Sequence, residues 1–349
     1  MVRSTPLILK AEGRECRLET AEAFTTERAR ELTRGRRGLI LMDRNFEPEA
    51  GAWREAFPGF TVMFPSVAGE AAKSLEEAAR VLEALAAHSL NRDDWLIARG
   101  GGSVTDLGGF CAGLYQRGLK LGLIPTTLLG AVDAAVGGKT AVNFAGAKNQ
   151  LGHFYLPRFV LADLPAIRAL PEARLAEGLA EAYKTGLLFD PRLSAMVEGW
   201  AGEPGGLAEI IRRSVHAKAA LVAQDFREEK GLREVLNLGH TFGHVAESFY
   251  SGLSHGRAVA LGLAVMAQLS RAHGLDDAEA GRITSVARRL GGPWPASLSA
   301  EEFYRRLKAD KKNRGGRPRF IVLKAPQQPE VIEAAPEEIW SAAVEVLGE

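Results

Sequence analysis

Short apolar runs alternate with helix-patterned segments over the first half of this chain, and the alternation stops near residue 168. Gly38-Leu-Ile-Leu-Met42, Phe60-Thr-Val-Met-Phe64, Trp95-Leu-Ile-Ala98 and Leu119 to Ile124 each read as a buried strand. Between them, Leu75, Ala78, Ala79, Leu82, Leu85 and Ala86 recur at helical spacing. Ser74 to His88 is therefore an amphipathic helix with Ser74 as its cap. Another helix follows from about Thr105 to Gln116. Strands separated by helices argue for a parallel sheet covered on both faces. From Pro171 the pattern is almost wholly helical, over 172–189, 205–223, 236–250, 256–273, 276–290 and 300–310. Arg319-Phe-Ile-Val-Leu323 is the one strand expected there. The predicted architecture is an α/β domain over residues 1–168 and an all-α domain over 169–349.

A length of 349 residues suffices for two cores. Lys plus Arg is 44 against 43 Asp plus Glu, so charge gives no argument for nucleic acid or an anionic membrane. Cys16 and Cys111 are too few for a disulfide framework or a Cys-type zinc site and read as buried free thiols. The start, Met-Val-Arg-Ser-Thr-Pro, lacks the apolar core of a signal peptide. The most apolar run, Ala258 to Ala267, falls well short of the ~20 residues that span a bilayer and reads as a core helix. These features point to a cytoplasmic protein. Lysines number only 12 beside 32 arginines, so some mark places where a compact ammonium is needed.

Three stretches carry chemistry. Gly100-Gly-Gly-Ser103 lies between a strand and a helix, where glycines admit a phosphate to the backbone and the helix N-terminus offers free N–H groups. It is not G-x-G-x-x-G, and a tight turn without ligand is the plain alternative. Asp43 and Pro125-Thr126-Thr127 follow other strand ends, where open α/β sheets bind ligands. Asp43 suits ribose hydroxyls or a solvated turn; the two threonines suit a ligand or a helix cap.

Asp133 to Lys139, with Asn143 and Gly146-Ala-Lys148-Asn149, gathers glycines and two of the scarce lysines. That mixture suits a phosphorylated ligand, or a β-hairpin with solvated lysines. Asn237-Leu-Gly-His240-Thr-Phe-Gly-His244 then sets two histidines at i and i+4 on one helix face, with His255 close behind. A divalent metal site wants a carboxylate as well. Glu177, Glu181 and Lys184 share a face of the helix beginning at Glu172, where Glu181 and Lys184 read equally as a surface salt bridge.

Taken in order, Gly100-Gly-Gly-Ser-Val-Thr-Asp106, Arg117-Gly, Pro125-Thr-Thr-Leu-Leu, Val132-Asp-Ala-Ala-Val-Gly-Gly-Lys139-Thr, Lys148-Asn149, Ala180-Glu-Ala-Tyr-Lys184, Leu236-Asn-Leu-Gly-His-Thr-Phe-Gly-His244, His255-Gly and Asp310-Lys-Lys312 resemble the 3-dehydroquinate synthases among the sugar-phosphate cyclases. The fold so implied is dehydroquinate synthase-like and related to the iron-dependent alcohol dehydrogenases, with an α/β NAD-binding (nucleotide-binding) N-terminal domain and an all-α metal- and substrate-binding C-terminal domain. The resemblance also implies a homodimer, bound NAD and one zinc or cobalt ion. By it Glu181, His240 and His255 hold the metal, and His244 faces substrate instead. It assigns NAD to Asp43, Glu70, Lys73, Gly101, Gly102, Ser103, Asp106, Thr126, Thr127, Lys139 and Lys148.

The implied substrate is 3-deoxy-arabino-heptulosonate 7-phosphate, in the shikimate pathway to aromatic amino acids. Lys139, Asn149 and one of Lys311 and Lys312 would meet its phosphate, and Arg117 would reach the partner subunit's site. Lys218 and Arg233 would hold its carboxylate, and Asp133, Lys184 and Asn237 its hydroxyls. Transient oxidation by NAD, phosphate elimination, re-reduction and aldol closure would follow. Three features depart from the family pattern: Arg257 replaces an acidic residue, Ala169 a threonine, and 225–233 is one residue longer.

Overall fold

The computed structural model describes residues 6–23, 25–34, 36–202, 204–250, 252–294, 299–309 and 319–348. They form two compact units, one of residues 1–170 with 204–229 and the other of 171–203 with 230–349.

The first unit is built on β1 (Leu7–Ala11), β2 (Arg14–Ala21), β3 (Gly38–Met42), β4 (Phe60–Met63), β5 (Trp95–Gly100), β6 (Lys120–Pro125), β7 (Lys139–Phe144), β8 (Ala147–Phe154) and β9 (Phe159–Asp163). Seven of them make one sheet in the order β1-β2-β9-β6-β5-β3-β4, parallel throughout except for the β1–β2 pair. Period-2 alternation splits its side chains between two cores. Leu39, Leu41, Leu96, Ala98, Leu121 and Leu123 enter one; Ile40, Met42, Ile97 and Ile124 enter the other. The continuous apolar runs in the sequence are thus strands buried on both faces.

Parallel register brings the carboxyl ends of β3, β5 and β6 together. Met42 pairs with Arg99, Gly100 with Pro125, and the ladder continues as Asp43 N–H donates to Arg99 O and Thr126 N–H to Gly100 O. Beside this edge, β9 ends in Asp163, whose buried carboxylate accepts two bonds from buried Arg99 at 3.1 and 2.9 Å and one from Thr25 at 2.9 Å. The Arg99 guanidinium also lies 4.0 Å over the Phe46 ring.

The helix Leu207–Gln224 reads in sequence like the helices of the second half. Its Ala219 and Val222, with Phe226 beyond it, nevertheless share the core of Leu18 and Val160. A single boundary near residue 168 therefore misses the return of residues 204–229 to the first unit.

In the second unit the helix His255–Arg271 is buried over Ala258 to Ala267, as the apolar run predicts. It is the hub of a helical cluster that includes Glu172–Phe189, His240–Phe249, Asp277–Gly291 and Pro336–Gly348. The strand expected at 319–323 is the first arm of a hairpin, β10 (Arg319–Ala325) with β11 (Gln328–Glu333). Glycines set the closest helix approaches. A Cβ on Gly262 would lie 1.8 Å from Gly239 O, and one on Gly256 would lie 2.3 Å from Glu177 Cα. Any larger residue at either point would push the helices apart.

Candidate active site

Those two glycine contacts deliver three side chains to one point. Gly256 seats the start of the His255–Arg271 helix on the helix carrying Glu181. Gly262 seats the same helix against Gly239, immediately before His240. Glu181 Oε1 consequently lies 3.2 Å from His240 Nε2 and 3.3 Å from His255 Nε2. Among the described residues these three form the candidate metal-holding cluster. Two ligands bound at about 2.1 Å around a tetrahedral ion stand about 3.4 Å apart, so the spacing fits a zinc-like ion.

The outer contacts fit as well. His240 Nδ1 donates to Leu238 O at 3.2 Å, and His255 Nδ1 donates to Glu247 Oε2 at 3.2 Å. Each Nε2 is thereby aimed at the shared point, as in metal sites where a carboxylate or carbonyl orients the imidazole. Sequence reasoning missed Glu247, whose one signal is that it stands one helical turn after His244. The His244 ring packs 5.4 Å from His240 but contributes no donor to the cluster.

Electrostatics at this point are balanced by burial and pairing. Glu181 is 0% exposed and Lys184 is 2% exposed, with Nζ 2.5 Å from Glu181 Oε2. Although close, the pair is not aligned for a hydrogen bond, so Oε2 is a buried acceptor with no such partner. Burial pushes the Glu181 carboxyl up, but Lys184 and then His240 overcome it and hold it well below the usual carboxylate range. Burial and Lys184 lower His240. Burial also opposes charge on His255, yet bonds to Glu181 and Glu247 prevail and raise it to about 10. The predicted Arg233 is buried in this unit, and Asn237 ends a 3-10 turn, Leu232–Asn237, two residues before Gly239. Lys311 and Lys312 lie outside the described residues.

The first unit gathers most of the remaining predicted residues around the carboxyl edge of its sheet. The helix after β5 begins at Gly102, three residues earlier than predicted, with Gly101 as its N-cap. A Cβ on Gly100 would meet Asp43 Cβ at 2.9 Å, and one on Gly101 would meet Thr127 Cγ2 at 3.3 Å. This glycine-walled helix start suits the diphosphate of a dinucleotide. Asp43 caps the following 3-10 turn through Asn45 N–H, and Thr127 Oγ1 accepts from Gly130 N–H; Thr126 is buried. Glu70 accepts from Ser103 at 3.1 Å, and Lys73 pairs with Asp106 at 2.5 Å. Burial raises the Asp106 carboxyl against the pull of Lys73.

Lys218 Nζ donates to both Asp133 Oδ1 and Asp133 O at 2.6 Å. Lys139 pairs with Glu228, and Lys139, Lys148 and Asn149 are all exposed on the β7–β8 hairpin. Arg117 sits at φ +64 between Gln116 at +48 and Gly118 at +126, three consecutive left-handed positions. Arg257, the departure after His255-Gly, donates to Gly291 O and Pro293 O, away from the ligand atoms.

Comparison with known proteins agrees with this arrangement. The family profile for the 3-dehydroquinate synthase N-terminal region matches residues 63–177, and that for the C-terminal region matches 178–313. The 3-dehydroquinate synthase of Methylococcus capsulatus is 43% identical over 267 residues, covering 74% of each chain. That of Paenarthrobacter aurescens is 38% identical over 332 residues, 90% of this chain and 89% of its own. In fold, a 2-deoxy-scyllo-inosose synthase complexed with carbaglucose-6-phosphate, NAD+ and Co2+ superposes with a TM-score of 0.87 at 22% identity, covering 98% and 99% of the two chains. A 2-epi-5-epi-valiolone synthase from Streptomyces hygroscopicus with NAD+ and Zn2+ bound reaches 0.86 at 28%, covering 97% and 98%. Two profiles matched in chain order, with relatives alike along most of their length, establish that this chain belongs to the 3-dehydroquinate synthase family.

Proposed function

We propose that this protein is a 3-dehydroquinate synthase, a carbon–oxygen lyase that converts 3-deoxy-arabino-heptulosonate 7-phosphate to 3-dehydroquinate and phosphate. The observation that carries the reading is the cluster of Glu181, His240 and His255, with both imidazoles oriented from behind and Lys184 alongside. When bound, NAD supplies a reversible hydride acceptor and the divalent ion polarises hydroxyl oxygens of the sugar.

The chain's own residues do the rest. Glu181, His240 and His255 hold the ion, and Lys184 balances the buried carboxylate. His244, beside the ligands but not among them, contacts substrate. Gly101, Gly102 and Ser103 cradle the cofactor diphosphate, while Asp43, Glu70, Lys73, Asp106, Thr126, Thr127 and Lys148 fix its remaining groups. Lys218 holds the Asp133 carboxylate in place as an acceptor for a ring hydroxyl. Lys139 and Asn149 receive the phosphate with Lys311 or Lys312. Arg233 and Lys218 select a carboxylated sugar, and Asn237 orients a hydroxyl. Arg117 serves the partner subunit's phosphate in a homodimer. Such all-round clamping keeps each intermediate aligned for the next step.

Incubation with the heptulosonate phosphate, NAD and zinc or cobalt tests the reading. Phosphate release without net NADH is the expected result. Accumulating NADH would indicate a polyol dehydrogenase, and absence of phosphate release would refute the synthase.

A further inference from the structure

The β7–β8 hairpin pairs regularly from Lys139 opposite Phe154 to Val142 opposite Leu151, then slips before Phe144 meets Ala147. Asn143 sits at the slip. Irregularities of this kind free a residue from the ladder and re-aim its side chain, and they recur beside active sites. Here the backbone N–H and both ends of the side-chain amide of Asn143 are used outside the ladder. Its backbone N–H donates to Lys73 O at 2.8 Å. Its Nδ2 donates to Glu70 Oε1 at 2.9 Å, and its Oδ1 accepts from Asn149 N–H at 3.0 Å. A carboxylate can only accept and an N–H can only donate, so these partners fix which end of the amide is which.

Three bonds from one residue thus join two groups of the site. Glu70 and Lys73 belong to the cofactor side, and Glu70 also accepts from Ser103 of the glycine turn. Asn149 belongs to the phosphate side and sits at φ +55, a left-handed conformation that asparagine adopts more readily than most residues other than glycine. Resting on the function proposed above, we infer that Asn143 is a positioning residue that sets the Glu70 carboxylate and the Asn149 backbone as one hydrogen-bonded unit, so that cofactor and phosphate subsites are aligned together.

The two ends of the amide separate the two effects. Asn143→Asp keeps an acceptor for Asn149 N–H but turns a carboxylate onto Glu70. Asn143→Ala removes both bonds. In the full-length protein, NAD+ and inorganic phosphate affinities are measured by titration calorimetry, with thermal unfolding as the control. Asn143→Ala weakens both ligands by about fivefold to tenfold, whereas Asn143→Asp weakens NAD+ by about tenfold and leaves phosphate within about twofold. General damage to the fold cannot produce that split. Equal weakening of both ligands in Asn143→Asp, or unchanged binding in Asn143→Ala, overturns the bridge while leaving the synthase reading intact. A parent protein that binds neither ligand overturns both.

Discussion

Replacing Glu181 by Gln removes a charge while keeping the side chain's shape. In the metal-free protein Glu181 and Glu247 are the negative groups facing Lys184 and the protonated His255, whose pKa is raised to about 10. The four charges cancel. Glu181→Gln leaves two cations beside one anion, and Lys184, 2% exposed, loses the carboxylate 2.5 Å away. Breaking a buried pair from one side costs about 3–5 kcal/mol. Metal affinity falls by at least about 100-fold, since removing a ligand exceeds the 10–100-fold effect of losing an outer contact. The double variant Glu181→Gln/Lys184→Met removes the stranded ammonium, so stability returns to within about 1 kcal/mol of the parent, yet the metal does not. Urea unfolding of chelator-treated protein reads the first effect, and elemental analysis after zinc dialysis reads the second. If metal-free Glu181→Gln unfolds within about 1 kcal/mol of the parent, the pairing argument is wrong; if it retains one ion per chain, the ligand assignment is wrong.

Other consequences follow from the same geometry. Because the folded-state pKa of His255 is raised, its contribution to metal-free stability is complete below about pH 6.5 and lost as pH rises through about 10. Unfolding midpoints measured across that window should decline in a way that His255→Gln abolishes. Metal affinity should rise over the same window, because the ion displaces the His255 proton; calorimetry in buffers of different ionisation enthalpy should detect the proton released. Gly262→Ala places a Cβ 1.8 Å from Gly239 O, which only backbone movement can relieve. It should destabilise the protein by at least about 1–3 kcal/mol and weaken metal binding; unchanged metal affinity would show that the crossing does not position His240. Arg99→Met leaves Asp163 buried without its cation and should cost about 3–5 kcal/mol in urea unfolding, most of it recovered in Arg99→Met/Asp163→Asn.

The parallel sheet was legible because β3 and β5 are buried on both faces and therefore read as unbroken apolar runs. β7 and β8 left no such mark, since much of the hairpin is exposed and its role lies in polar backbone contacts. The histidine helix was legible as a place but misleading as a ligand set. Spacing favours His240 with His244, whereas the second imidazole of the candidate cluster belongs to the first residue of the next helix, which the sequence placed close behind and only the family resemblance named as a ligand. Glu247 was passed over because it acts through His255 on the next helix, and Asn143 was legible only as part of a stretch suited to a phosphate, since its bond to Glu70 joins residues far apart in sequence at a strand irregularity. The helix Leu207–Gln224 shows the remaining limit: amphipathicity says that a face is buried, not in which core.

That helix has a consequence for taking the protein apart. The chain passes between its two compact units three times, at residues 170–171, 203–204 and 229–230. A gene fragment ending at residue 170 would encode the whole seven-stranded sheet yet omit Lys218, the clasp on Asp133, Ile211, which lines a pocket with Leu18 and Val160, and Val222 and Phe226, which share the core of those two residues. Such a fragment would expose an apolar trough and aggregate. A faithful isolated nucleotide-binding half needs residues 204–229 spliced back by a designed linker, so neither unit is a contiguous cassette that recombination could exchange at a single junction.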